Sequence, residues 1–134
     1  MLKDLDHIGI VVDDLEKAIS MYTSVFGFSF RGCERVDAQG MEIATVELDN
    51  LKVELLCATS DSSILSNFLN KRGPGVHHLA YRVDDIRGSL AEIKRTGVRL
   101  IDEHPRPGGD GNLIAFLHPK DTGGVLIEFC EKQK

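Results

Sequence analysis

Ten residues near the start of the chain, Asp6 to Leu15 (DHIGIVVDDL), recur in its middle as His77 to Ile86 (HHLAYRVDDI) without a gap. His7 falls on His78, Gly9 on Ala80, Val12 on Val83, and Asp13-Asp14 on Asp84-Asp85. The copies lie 71 residues apart, a little over half of the 134-residue chain. A repeat of that length describes a duplicated half-domain. A solenoid would need shorter and more numerous units. Any fold proposed for this chain must therefore explain two copies of a histidine-bearing strand.

Each copy opens the same series of elements. Leu5 to Val12 alternates and is β-branched, which predicts a strand. Asp13-Asp14 offers N-cap oxygens to a helix carrying Leu15, Ala18, Ile19, Tyr22, Val25 and Phe26 at helical spacing, and Gly27 ends it. Strands are expected over Phe28–Val36, Met41–Leu48 and Lys52–Cys57, with turns at Asp37–Gly40 and Asp49-Asn50. A polar link and a short helix around Ile64, Leu65, Phe68 and Leu69 lead to Gly73-Pro74-Gly75. The second copy then gives a strand over Val76–Val83 and a helix with Ile86, Leu90 and Ile93, closed by Gly97. Strands are expected at Val98–Ile101, Leu113–Leu117 and Gly124–Cys130, with a Gly- and Pro-rich loop at His104–Asn112. The expectation is an α+β chain of two βαβββ units, at about 4–57 and 75–131, in one domain. No linker is long enough to part them, so they share a sheet or a cupped surface.

Composition removes several functions. With 16 basic and 21 acidic residues the net charge is −5, and the basic residues form no long run. Nucleic-acid binding runs on phosphate neutralisation, so it is not expected. No apolar stretch approaches the length of a membrane span, and the first residues carry no signal-peptide core. Cys33, Cys57 and Cys130 are odd in number and lack a C-x-x-C, which suits a reducing, cytoplasmic setting.

Parity assigns the strand faces. Ile8, Ile10 and Val12 share one face of the first strand, and His7, Gly9 and Val11 the other. In the repeat, Leu79, Tyr81 and Val83 match the first set, and His78, Ala80 and Arg82 the second. The large apolar face should pack on helices. A small residue two places after each histidine leaves room beside the imidazole. Glu54 and Glu128 each lie between apolar neighbours in the last strand of their unit. A lone histidine on a strand is ordinarily structural, and a lone glutamate there is ordinarily solvated. Here the same pair recurs at matched places. Two imidazoles and two carboxylates, His7, Glu54, His78 and Glu128, make a divalent metal site with room for water or substrate. His77 is the neighbouring rival, and repeat parity favours His78. His104 and His118 have no repeat partner.

At this point the chain resembles the vicinal oxygen chelate superfamily, which includes glyoxalase I, extradiol dioxygenases and bleomycin-resistance proteins. The resemblance rests on the paired strands Asp6-His7-Ile8-Gly9-Ile10 and His77-His78-Leu79-Ala80-Tyr81. Within it, Gln39-Gly40, Gly75-Val76-His77-His78 and the run from Ile114 through His118-Pro119-Lys120-Asp121 to Glu128 resemble the methylmalonyl-CoA epimerases. The resemblance implies paired βαβββ modules in a cupped mixed sheet around a divalent metal, often as a homodimer. It implies His7, His78 and Glu128 as ligands with Glu54 at the fourth position, and Co²⁺ as the metal, with Ni²⁺, Zn²⁺ or Mn²⁺ as alternatives. It also implies an acyl-CoA substrate, with Glu54 and Glu128 as the proton-transfer carboxylates. Some epimerases carry a further glutamate three residues after the Gln-Gly turn. Here that residue is Ile43, and Glu42 has the opposite parity. Lys120, Lys71, Arg72 and Arg106 are candidates for the CoA phosphates. The rival activities are glyoxalase I, with the same four ligands, and a non-enzymatic drug-binding module. A dioxygenase is disfavoured by a fourth protein ligand.

Overall fold

The computed structural model describes residues 1–133. Its first half follows the expected order. Strand β1 (Leu2–Val12) is followed by helix α1 (Leu15–Ser20), whose N-terminus is capped by Asp14 accepting from the Lys17 N–H at 3.0 Å. The helix widens into a π-helical turn over Met21–Val25, where Thr23 Oγ1 donates to the Ile19 carbonyl. Gly27, at φ 84°, then turns the chain back. Strands β2 (Ser29–Val36), β3 (Met41–Leu48) and β4 (Leu51–Ala58) complete the series. Neighbours among them are antiparallel, and β4 returns parallel to β1 with Ile8 opposite Val53 and Gly9 opposite Glu54.

Helix α2 (Ile64–Arg72), capped by Ser63, links the halves. The second series is β5 (Gly75–Val83), α3 (Ile86–Arg95), β6 (Arg106–Pro107), β7 (Leu113–Phe116) and β8 (Ile127–Glu131). Strand β8 runs parallel to β5, while β7 is antiparallel to both β8 and β6. The eight strands form one mixed sheet in the order β2-β3-β4-β1-β5-β8-β7-β6. Read outward from its own first strand, each half has the same order: first, fourth, third, second. The duplication seen in the sequence is thus a duplication of strand topology.

One expected strand is absent. Over Val98–Ile101 only Leu100 is bridged, to Leu117. Ile101 and Asp102 both donate to the single Phe116 carbonyl, and the Asp102 carboxylate accepts the Phe116 N–H at 2.8 Å. The backbone pairing stops at that one bridge, and the Asp102 side chain takes the next N–H. The third strand forms later, as the two-residue β6, inside the span expected to be loop. The two prolines flanking Arg106 keep it short, since proline brings no N–H to a ladder.

By packing, the chain forms two compact units: residues 7–77, and residues 1–6 together with those from 78 onward. In the first, Ile10 and Val12 pack with Ala44, Val46, Val53 and Leu55 against Leu15, Ala18, Ile19 and Tyr22. In the second, Val83, Ala115, Leu117 and Phe129 pack against Ile86, Leu90 and Ile93. The apolar face of each first strand therefore meets its helix, through Ile10 and Val12 in the first unit and Val83 in the second. The opposite face of the first unit carries a smaller cluster, where Val11, Met41 and Leu56 meet Leu65, Phe68 and Leu69 of α2. No helix among the described residues is long and apolar enough to cross a membrane.

Candidate metal centre

In the first unit, β1 presents His7, Gly9 and Val11 on the face away from α1. Register with β4 sets Gly9 beside Glu54 and Val11 beside Leu56. The gap at Gly9 lets the neighbouring carboxylate reach back along the strand, and His7 Nε2 lies 3.3 Å from Glu54 Oε1. The histidine side chain is 5% exposed and the glutamate 16%. Across β3, Thr45 faces Glu54.

The second unit repeats the construction. Ala80 is beside Glu128 in the β5–β8 register, and His78 Nε2 lies 3.6 Å from Glu128 Oε1. Both side chains are 5% exposed. Across β7, Phe116 occupies the place that Thr45 has in the first unit. Its ring meets the His78 imidazole edge to face, with centroids 5.5 Å apart and planes at 89°. The structure brings His7 and Glu54 together in the first half and His78 and Glu128 together in the second. What the sequence did not signal is the third strand's contribution. Thr45 and Phe116 become neighbours of the glutamates only through cross-strand register.

The chemistry of this donor set fits a divalent ion. His7, His78 and Glu128 are buried, and each has one donor atom to offer. A buried carboxylate beside an imidazole calls for a compensating cation, and mixed imidazole and carboxylate ligation suits late first-row divalent metals.

The other candidates are placed elsewhere or otherwise engaged. His77 packs edge to face on Phe68 at 5.1 Å, and burial, aided by the charge of Arg72, lowers its pKa. Arg72 itself lies over the Phe68 ring at 5.7 Å. Glu42 sits between Arg35 and Cys57 in register, on the face of Ala44 and Val46, whereas Ile43 shares the face of Leu56. Lys71 and Lys120 are exposed. Arg106 is tied to Asp102 at 3.2 Å and lies over the Phe116 ring at 5.6 Å.

The His118–Asp121 run is largely structural. His118 Nδ1 accepts the Lys120 N–H, capping a short helical turn. Asp121 accepts from the Arg99 backbone N–H, Nε and Nη2 at 2.9, 2.8 and 3.1 Å. The Arg99 guanidinium holds the Asp121 carboxyl well below the usual carboxylate range. This clamp fixes the turn that leads into β8 and Glu128.

Residues 6–116 match the Glyoxalase/Bleomycin resistance protein/Dioxygenase superfamily. The chain is 36% identical over 125 residues to the human mitochondrial methylmalonyl-CoA epimerase, covering 92% of this chain and 71% of that one. The crystal structure of methylmalonyl-CoA epimerase from Mycobacterium tuberculosis is 38% identical, with a TM-score of 0.94 over 99% of this chain and 90% of its own. A methylmalonyl-CoA epimerase in complex with methylmalonyl-CoA and NH4+ is 35% identical, with a TM-score of 0.93 over 98% and 96%. Repeat, topology, paired donors and these likenesses agree: the chain belongs to the glyoxalase/bleomycin-resistance/dioxygenase superfamily.

Proposed function

We propose that this protein is a metal-dependent methylmalonyl-CoA epimerase that inverts carbon 2 of its substrate. The observation that carries the reading is the repeated pair: each module sets a buried histidine against a glutamate at the same place in its topology. The similarity to epimerases over nearly the whole chain supplies the substrate class. His7, Glu54, His78 and Glu128 would hold the ion, with Co²⁺ as the metal to load first and Ni²⁺, Zn²⁺ and Mn²⁺ as alternatives. When bound, such an ion supplies electrophilic stabilisation to a thioester oxygen on which negative charge develops.

The residues do the rest. The hydrogen on carbon 2 lies between a thioester carbonyl and a carboxylate, so its removal leaves an enolate. One glutamate takes that proton on a carboxylate oxygen. The other returns a proton to the opposite face of the same carbon. The bond broken and the bond formed are both C–H, and each carboxylate regains its starting state by exchange with solvent. Glu128, the more enclosed of the two, is assigned as the principal base, and Glu54 serves the other face. The CoA phosphates call for cations, and the exposed Lys71 and Lys120 can meet them without disturbing an internal pair.

The test is proton NMR of racemic methylmalonyl-CoA in D₂O with cobalt-loaded protein, against a no-enzyme baseline. Loss of the carbon-2 signal well above baseline, abolished by chelator, is the expected result. Folded, metal-loaded protein with no excess exchange would end this assignment and put glyoxalase I and a drug-binding module ahead.

A further inference from the structure

A closed circuit of contacts surrounds the second histidine. Asp102 uses both carboxylate oxygens. Oδ1 accepts from Arg106 Nε at 3.2 Å, and Oδ2 accepts from the Phe116 backbone N–H at 2.8 Å. Arg106 lays its guanidinium over the Phe116 ring, 5.6 Å from the centroid. The same ring then meets the His78 imidazole at right angles, 5.5 Å between centroids. One acidic side chain thus fixes both the backbone that carries the aromatic ring and the cation that covers it. All four residues belong to one compact unit.

We propose that Phe116 is a positioning residue for His78, with Asp102 and Arg106 as the clamp that holds its ring in place. The inference rests on the reading of His78 as a metal ligand. An imidazole ligand must keep one nitrogen aimed at the ion, and rotation about its last side-chain bond costs little unless something flat abuts it. An aromatic ring at 89° supplies that wall, because the edge of one ring suits the face of another. The cation on Phe116 holds the wall. Partners that orient metal-bound histidines commonly change metal affinity about 10- to 100-fold when removed.

In the first unit the residue opposite the glutamate in register is Thr45, where the second unit has Phe116.

The test compares wild type with Phe116→Leu, Phe116→Tyr and Arg106→Gln. Cobalt affinity is read by calorimetry, the visible d–d spectrum reports ligand geometry, and thermal unfolding of the metal-free proteins reports the fold. Phe116→Leu should weaken cobalt binding about 10-fold or more and alter the d–d bands while the metal-free protein stays folded. Phe116→Tyr should restore both, and Arg106→Gln should shift them in the same direction by less. If Phe116→Leu does not fold, Arg106→Gln decides. Variants with wild-type affinity and spectrum would overturn the positioning role and leave the metal site standing. Wild type that takes up no cobalt would end the metal reading, and this inference with it.

Discussion

At the scale of single residues, the molecule turns on two glutamates that the repeat makes equivalent and their surroundings make different. Glu54 faces a threonine and keeps some solvent contact, whereas Glu128 faces an aromatic ring and is enclosed. Replacing Glu128 with Gln should lower turnover about 100-fold or more, in the range expected for loss of a general base, with the protein still folded. Near-normal turnover with metal retained would remove it from that role. In Glu54→Gln, solvent deuterium should still enter one enantiomer of the substrate without inversion, because the remaining carboxylate can remove and return a proton on its own side. Incubating each enantiomer separately in D₂O checks this; equal loss of exchange from both would contradict a two-base division. The pairing of His7 with Glu54 and of His78 with Glu128 was legible in the sequence, because strand parity is a local property and the same pair recurs in each half. Phe116 was not legible. Its position beside Glu128 and His78 depends on register between β7 and β8, and nothing in Leu113-Ile-Ala-Phe116 announces which rung will face which.

At the scale of elements, the starts of helices were the easiest features to read and the strands after α3 the hardest. The paired Asp-Asp sequences do cap their helices: Asp14 accepts from Lys17 and Asp85 from Gly88. Asp14→Ala and Asp85→Ala should each cost about 1 kcal/mol in chemical denaturation, a typical value for an N-cap. The β6 region failed as a reading because its structure is set by one side chain, Asp102, bonding to a strand far along the chain. Hydrophobic alternation at Val98–Ile101 carries no trace of that bond. The turn before β8 is governed by the Arg99–Asp121 clamp. Its carboxylate is held below its ordinary range, so its contribution to stability is present above the unfolded-state value of about pH 3.9 and is lost as pH falls toward the folded-state value. Thermal unfolding of wild type and Asp121→Asn should therefore differ at neutral pH and converge in strong acid. The gap at neutral pH should narrow with added salt, because the pair is at the surface. A constant offset at all pH values would contradict this account.

At the scale of the whole molecule, a repeat read from ten residues foretold a sheet in which both halves keep the same strand order. Topology was legible because a duplicated sequence must fold by the same local rules twice. Assembly was not, since exposed apolar side chains such as Val25 and Phe26 do not name a partner. The homodimer implied by the resemblance is a separate expectation, and light scattering during gel filtration should return twice the chain mass; a monomer at working concentration would refute it. The packing units also cut across the repeat: residues 1–6 associate with the segment from 78 onward, through Lys3–Asp84, Asp4–Arg82 and Asp6–Lys132 ion pairs. For anyone producing the protein this has a practical meaning. An affinity tag fused before Met1 would be attached to the packing unit that holds Glu128, although the tag lies more than a hundred residues from it in sequence. Trimming or tagging this end is thus a way to perturb, from afar, the packing unit to which Glu128 belongs.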